Sequence, residues 1–142
     1  MIIEDYVSFE VARLLKEKRF DGECRAFWKD WKGEIRLCSC NRAHMFDYCH
    51  NSMLERYNDT EETNIAAPTL QMAMKWLREE HNIFIDISSR FSKNADKDVC
   101  FSYSCKKLVD TYKSSYEIGD GEWLNYEEAC EAAIKYCLEN LI

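Results

Sequence analysis

The fold is decided by the stretch IFIDIS, residues 83–88, in which isoleucine occupies every second position. Side chains of a β-strand point alternately to the two faces of the sheet, so this alternation predicts a strand with one buried face. Alternating runs also occur over residues 99–106 and 112–118. The connection over residues 92–98 is polar and short, which favours an antiparallel hairpin over a crossover. Residues 83–118 are therefore predicted to form a three-stranded antiparallel meander.

Two helices are predicted to cover one face of this meander. Over residues 68–81, Pro68 suits the start of a helix, where a backbone donor is not needed, and apolar residues then recur at helical spacing. Over residues 125–141, Asn125 is a candidate N-cap and Glu128 stands three positions later, close to a capping box. The predicted class is α+β, with the sheet and its helices in two layers.

The N-terminal half carries weaker periodicity. Apolar residues at helical spacing, preceded by Ser8 as an N-cap, predict a helix over residues 8–18. A second short helix ending at Gly33 is predicted from four residues at helical spacing. These are Cys24, Phe27, Trp28 and Trp31.

Residues 34–38 alternate like a short strand and predict that Ile35 and Leu37 point inward. The rest of the segment 21–65 is interpreted as irregular, with a polar loop at residues 58–64.

Composition favours one ordered domain over residues 1–142. Hydrophobic residues make up 46% of the chain, with four glycines and one proline. No apolar run approaches the roughly 20 residues that span a bilayer, so no membrane partner is expected. The first residues lack the basic and apolar regions of a secretory signal, which predicts a cytoplasmic protein. The net charge of −7 disfavours binding to phosphate.

Three stretches carry a resemblance to a known group. They are Val7–Lys18, then Ala66–Glu79 with its Ala-Ala-Pro-Thr start, and Tyr126–Ile134. Together they resemble small uncharacterised proteins of gut Bacteroidetes and of their prophages and mobile elements. The resemblance implies a bacterial cytoplasmic setting and a phage or mobile-element origin. It implies no activity and no site residue.

Eight cysteines in a cytosolic chain are expected to be free thiols. Several soft ligands nevertheless fall within one region and raise the alternative of a zinc site. They are Cys38, Cys40, His44, Cys49 and His50, with Cys24 nearby. No Cys-x-x-Cys knuckle occurs among them, so neither a metal nor another cofactor is expected.

A cysteine-dependent enzyme is a second alternative. Its nucleophile would be Cys49, with His44 or His50 as base and Asp47 as orienting group. Adjacency in sequence does not define a catalytic triad, because the triad is a matter of geometry. A non-catalytic protein-interaction module is therefore preferred by elimination. Its candidate binding residues are the large side chains that the core need not accommodate, namely Trp76, Phe84, Tyr112 and Trp123.

The order α-β-β-β-α over residues 68–141 is also that of a double-stranded-RNA-binding domain. Residues 84–116 hold six basic and four acidic side chains, which is mildly basic. Residues 117–142, however, hold seven acidic side chains against Lys135 alone. Nucleic-acid binding requires cations at the phosphates, so it is not expected here.

Overall fold

The computed structural model describes residues 4–41, 46–92, 99–109, 114–118 and 121–142. The chain forms two units, Met1–Met72 and Ala73–Ile142, each with its own three-stranded antiparallel sheet. The class is α+β, as the sequence predicts. One cooperative domain over residues 1–142 stays a prediction.

The first unit contains α1 (Phe9–Glu17), β1 (Ala26–Trp31), β2 (Glu34–Ser39), α2 (Asn51–Leu54) and β3 (Glu62–Ala66), with a 3-10 turn at Glu55–Tyr57. The predicted N-terminal helix is confirmed, and the Ser8 hydroxyl caps it by accepting the Val11 N–H at 3.2 Å. The strand order is β2-β1-β3, with both pairings antiparallel. The α1 helix packs against β3.

The helix predicted to end at Gly33 is wrong. The strand predicted at residues 34–38 is present as β2, whereas the rest of the segment 21–65, predicted to be irregular, also contains β1 and β3. Residues 26–31 form β1, and β1 turns into β2 through Lys32 and Gly33. Both turn residues have positive φ, 50° and 88°, the pattern of a two-residue hairpin turn that matches the twist of its strands. The apolar residues of this segment are spaced as in a helix. As a strand, however, β1 forms backbone pairings with β2 on one side and with β3 on the other. Tertiary pairing therefore overrides the local pattern.

The second unit contains most of α3 (Leu70–His81), then β4 (Ile83–Phe91), β5 (Val99–Leu108), β6 (Ser114–Ile118) and α4 (Tyr126–Asn140). The order β4-β5-β6 with antiparallel pairing confirms the predicted meander. Cross-strand partners such as Ile85 and Cys105 share the face on which α4 packs.

The last helix begins as predicted, because the Asn125 side chain accepts the Glu128 N–H at 2.8 Å. Its inner face is buried, from Cys130 to Leu138. Of the helices in the described residues, not one combines the length and apolar character that crossing a membrane requires.

Candidate protein-interaction edge

The outer edge of β3 is closed by side chains that act as a substitute strand. In β3 the residues that turn their backbone groups away from β1 are Glu62, Asn64 and Ala66. Asp59 Oδ1 accepts the N–H of Glu62 at 2.8 Å, and Asn58 Oδ1 accepts that of Asn64 at 2.6 Å. The third N–H, that of Ala66, is bound by Asn51, so all three outward donors of β3 are satisfied within the unit.

The two buried side-chain amides of the unit lie at this edge of β3. Asn51 and Asn64 are the buried polar side chains of the described core. Asn51 also donates from Nδ2 to the Phe20 carbonyl at 2.8 Å, so one side chain joins the segment after α1 to the edge of β3. Burying an amide without partners is costly, and these bonds offset that penalty.

The outer edge of β2 is built differently. The Cys40 N–H donates to the Arg25 carbonyl at 2.8 Å, so Cys40 turns its backbone toward the β1 side. Backbone direction alternates along a strand, and Ile35 and Leu37 must therefore turn their N–H and C=O groups outward. Among the strands that the structure describes, β2 has a neighbour on the β1 side only.

The side chains of β2 are exposed as well. Ile35 is 44% and Leu37 is 43% exposed, so the prediction that both point inward is wrong. On their face of the sheet, Leu37 lies opposite Trp28, which pairs with Ile65 on its other side, and Ile35 lies opposite Asp30. On that face the ring of Phe9, from α1, lies 6.3 Å from that of Trp28. The helix packs at the β3 side of the sheet, and β2 extends beyond it.

The charges along β2 lie on its other face. Glu34 and Arg36 form an ion pair with each other, both well exposed. Arg36 lies across from Lys29, whose ammonium is 2.9 Å from Glu62. The edge thus offers two apolar side chains on one face and an arginine between them on the other.

That second face also carries an aromatic cleft. Its walls are the rings of Phe27, Phe46 and Tyr57, with centroids 5.8 and 6.3 Å apart along the row. Leu54 also lines it, together with the Lys29–Glu62 ion pair. The cleft therefore lies on the face of the sheet opposite to Ile35 and Leu37.

The candidate catalytic residues are placed separately. Cys49 is fully buried, with its thiol donating to the Ala26 carbonyl at 3.4 Å. His50 instead lies beside Ser52, Nδ1 to Oγ 2.8 Å, and 3.7 Å from Asp21. Asp47 is exposed, and His44 lies outside the described residues.

Burial governs the thiols of this region. Burial, a hydrogen bond with Cys40 and the proximity of Cys24 hold the pKa of Cys49 far above its ordinary value. Burial raises the pKa of Cys24 to about 12. The thiolate is the nucleophilic form, so neither cysteine is activated as the resting nucleophile of an enzyme.

The candidate zinc ligands only partly converge. Cys40 and Cys49 meet beside Cys24, whereas the half-buried Cys38 lies on β2 with its sulfur 4.0 Å from the Arg36 carbonyl. Within the described parts of the chain, no group of three or more histidine, cysteine or acidic side chains is arranged to hold a metal ion.

The candidate binding residues that the structure describes have different surroundings in the second unit. Trp123 packs on Tyr103, with ring centroids 5.2 Å apart, on the α4 side of its sheet. Phe84 pairs with Lys106 on the opposite side. Trp76 makes an edge contact with His81 within α3, at 4.6 Å. Tyr112 lies outside the described residues.

Sequence reasoning missed Ile35 and Leu37 because alternation does not reveal whether a strand lies inside a sheet or at its edge. The nearest signal is the cluster of Asn and Asp at residues 58–64, side chains that bind backbone groups. Comparisons with protein-family models, with curated proteins and with solved structures found no match to this chain.

Proposed function

We propose that this chain is a non-catalytic protein-interaction module that accepts an extended segment of a partner protein as a strand added beside β2. The contrast between the two edges of the first sheet carries the proposal. The β3 edge is sealed by Asn51, Asn58 and Asp59, while the β2 edge presents outward backbone groups and exposed apolar side chains. In strand addition, backbone hydrogen bonds supply affinity and alternate side chains supply specificity.

The chemistry of β2 defines the segment that fits. Opposite Ile35 and Leu37 the segment needs apolar side chains, which fall at alternate positions. Between them, opposite Arg36, an acidic side chain is complementary, because opposite charges across strands stabilise and like charges destabilise. The partner motif is therefore apolar-acidic-apolar.

A second copy of the chain fits this edge poorly. An antiparallel pairing that sets Ile35 against Leu37 of the second copy also sets the two Arg36 side chains directly opposite each other. Like charges in that position are destabilising. A segment of a different protein is the better occupant.

The setting that we propose is the cytoplasm of a bacterium, in a phage-related or mobile-element protein. The acidic charge and the resemblance of residues 7–18, 66–79 and 126–134 support it. A cysteine-dependent enzyme is less well supported, because Cys49 is buried and its pKa is raised.

Peptide binding tests the proposal directly. A fluorescent peptide with a Val-Glu-Val core should bind the full chain with a Kd of about 10–100 µM, since the contact area is small. Its Val-Lys-Val counterpart should bind about two- to fivefold more weakly, the range expected for one cross-strand charge pair. Fluorescence anisotropy measures both.

Two variants locate the binding edge. Ile35→Pro removes an outward N–H and spares the pairing with β1, so it should abolish binding and leave the fold intact. The matched control is the double variant Phe91→Ser and Val99→Ser, which removes an exposed apolar cross-strand pair from the other sheet. Binding that survives Ile35→Pro in a folded chain, or that the control variant abolishes equally, would contradict the proposal.

A further inference from the structure

Three cysteines from three separate segments meet in the first unit. Cys24 precedes β1, Cys40 follows β2 directly, and Cys49 precedes α2. Cys24 and Cys49 exchange both backbone hydrogen bonds, at 2.7 and 2.8 Å. The Cys24 carbonyl that accepts the Cys49 N–H also accepts the Cys40 thiol at 3.8 Å. One oxygen thus brings Cys40 next to Cys49, and their two thiols are hydrogen-bonded.

The two thiols differ in access to solvent. Cys40 is partly exposed, whereas Cys49 is fully buried, so a dissolved reagent reaches Cys40 first. Burial raises the pKa of Cys40, while the hydrogen bond with Cys49 and the nearby Arg25 guanidinium work in the opposite direction. The pKa of Cys40 is still raised overall, but less than that of Cys49, so Cys40 is the member of the pair that forms a thiolate more readily.

Cys24 is also close to both thiols, but its own thiol has a different partner. Its thiol donates to the Gly22 carbonyl at 3.4 Å, within its own turn. Cys38 stands two residues before Cys40 and is also partly exposed, which makes it a matched control.

We propose that Cys40 and Cys49 form a thiol pair that a hydroperoxide converts reversibly to a disulfide. The Cys40 thiolate attacks one peroxide oxygen and the O–O bond breaks. The leaving hydroxide takes up the proton that the Cys40 thiol released and departs as water, and Cys40 becomes a sulfenic acid. The Cys49 sulfur then attacks the Cys40 sulfur, the S–S bond forms, and the S–O bond breaks. The hydroxyl group leaves with the Cys49 proton as water. Two thiols and one hydrogen peroxide yield one disulfide and two waters, and a small dithiol reverses the change.

The second unit supplies an internal comparison. Cys105 and Cys137 are also hydrogen-bonded to each other, but their exposed fractions are 1% and 0%. If the proximity of two thiols were sufficient, both pairs would be oxidised equally fast. If the peroxide must reach a thiol from solvent, Cys40 and Cys49 are oxidised first. The disulfide at Cys40 and Cys49 should form at least about tenfold faster.

The experiment treats the reduced full chain with hydrogen peroxide, blocks the remaining thiols by alkylation and maps peptides without reduction by mass spectrometry. A peptide pair joined through Cys40 and Cys49 is expected. Cys40→Ser should abolish it, and Cys38→Ser should leave it unchanged. A disulfide joining Cys24 to Cys49, or equally fast oxidation of Cys105 and Cys137, would overturn the proposal.

A second variant tests the proposal without relying on the folding of Cys40→Ser. Cys49→Ala removes the resolving thiol and retains an apolar side chain at the buried position. Sulfenic acid should then accumulate at Cys40 and be trapped by dimedone, severalfold above the parent chain. A folded Cys49→Ala chain with no more trapped sulfenic acid than the parent would count against the mechanism.

Discussion

The side-chain oxygen of Asn51 accepts the backbone N–H of Ala66 at 2.9 Å, fifteen residues along the chain. The same amide donates to the Phe20 carbonyl. Through this one side chain, a short helix replaces the missing neighbour of β3. The sheet thus has one sealed edge, and its other edge, β2, is the one left for a partner.

Replacing Asn51 with Ala should lower the free energy of unfolding by about 2–4 kcal/mol, because a buried N–H and a buried carbonyl each lose their partner. Urea denaturation of the full chain measures the change. Asn140→Ala, at an exposed position near the end of α4, is the control and should change it by less than about 0.5 kcal/mol. Equal effects of the two substitutions would show that the β3 edge does not depend on Asn51.

An aspartate at Ile83 should cost about 3–5 kcal/mol, since Ile83 is fully buried and the new carboxylate would have no partner. Phe84→Asp is the matched control, because Phe84 is exposed on the opposite face of the same strand. Its expected cost is within about 1 kcal/mol. At the half-buried Ile85 the cost of aspartate should lie between these two. If Phe84→Asp lowered the melting temperature more than Ile83→Asp, the buried and exposed faces of β4 would be the reverse of those described.

Stability should fall in acid partly through Asp21. Burial alone would raise the pKa of its carboxyl, but hydrogen bonds from Ser52 and the proximity of His50 lower it below the ordinary value of 3.8. A depressed pKa stabilises the fold above the unfolded value, and this contribution is lost as the pH falls from about 4 through the lowered pKa. Because the carboxylate is half exposed, the contribution should stay below about 1 kcal/mol.

The test of Asp21 compares melting temperatures of the parent chain and Asp21→Asn across that pH range. The difference should be largest near neutral pH and vanish in strong acid. Ser52→Ala removes one donor and keeps the carboxylate, so it should show a smaller loss over the same window. A difference that grows in acid would have the wrong sign.

The chain purified without chelator should contain far less than one equivalent of zinc, because the cysteines and histidines of residues 38–50 lack paired knuckles. Elemental analysis measures the content. About one zinc per chain, lost from the double variant Cys38→Ser and Cys40→Ser, would establish a metal site instead.

Duplex RNA and duplex DNA should not bind, although α3-β4-β5-β6-α4 follows the order of a double-stranded-RNA-binding domain. Glu127 and Glu128 occupy the first turn of α4, and a helix dipole contributes only about half a positive charge there. Anisotropy titration at low salt tests this prediction. Micromolar binding that weakens steeply with added salt would contradict it.

Much of the second unit follows from the sequence alone. The alternation at Ile83, Ile85 and Ile87 and the Asn125 cap are local signals, and they specify the meander and its last helix because each depends on neighbours within a few residues. The strands of the first unit, in contrast, are decided by tertiary structure. Phe27, Trp28 and Trp31 suit a helix or a strand, and pairing with β2 and β3 decides between them.

The candidate edge also depends on tertiary structure. Alternation shows that Ile35 and Leu37 share a face, but only the strand order β2-β1-β3 shows that this face lies beyond the helix that packs at β3. The meeting of Cys40 with Cys49 likewise depends on the Cys24 backbone pairing, which joins residues twenty-five positions apart. Local propensity acts over a few residues, whereas edges and contacts between distant segments exist only once the sheet has formed.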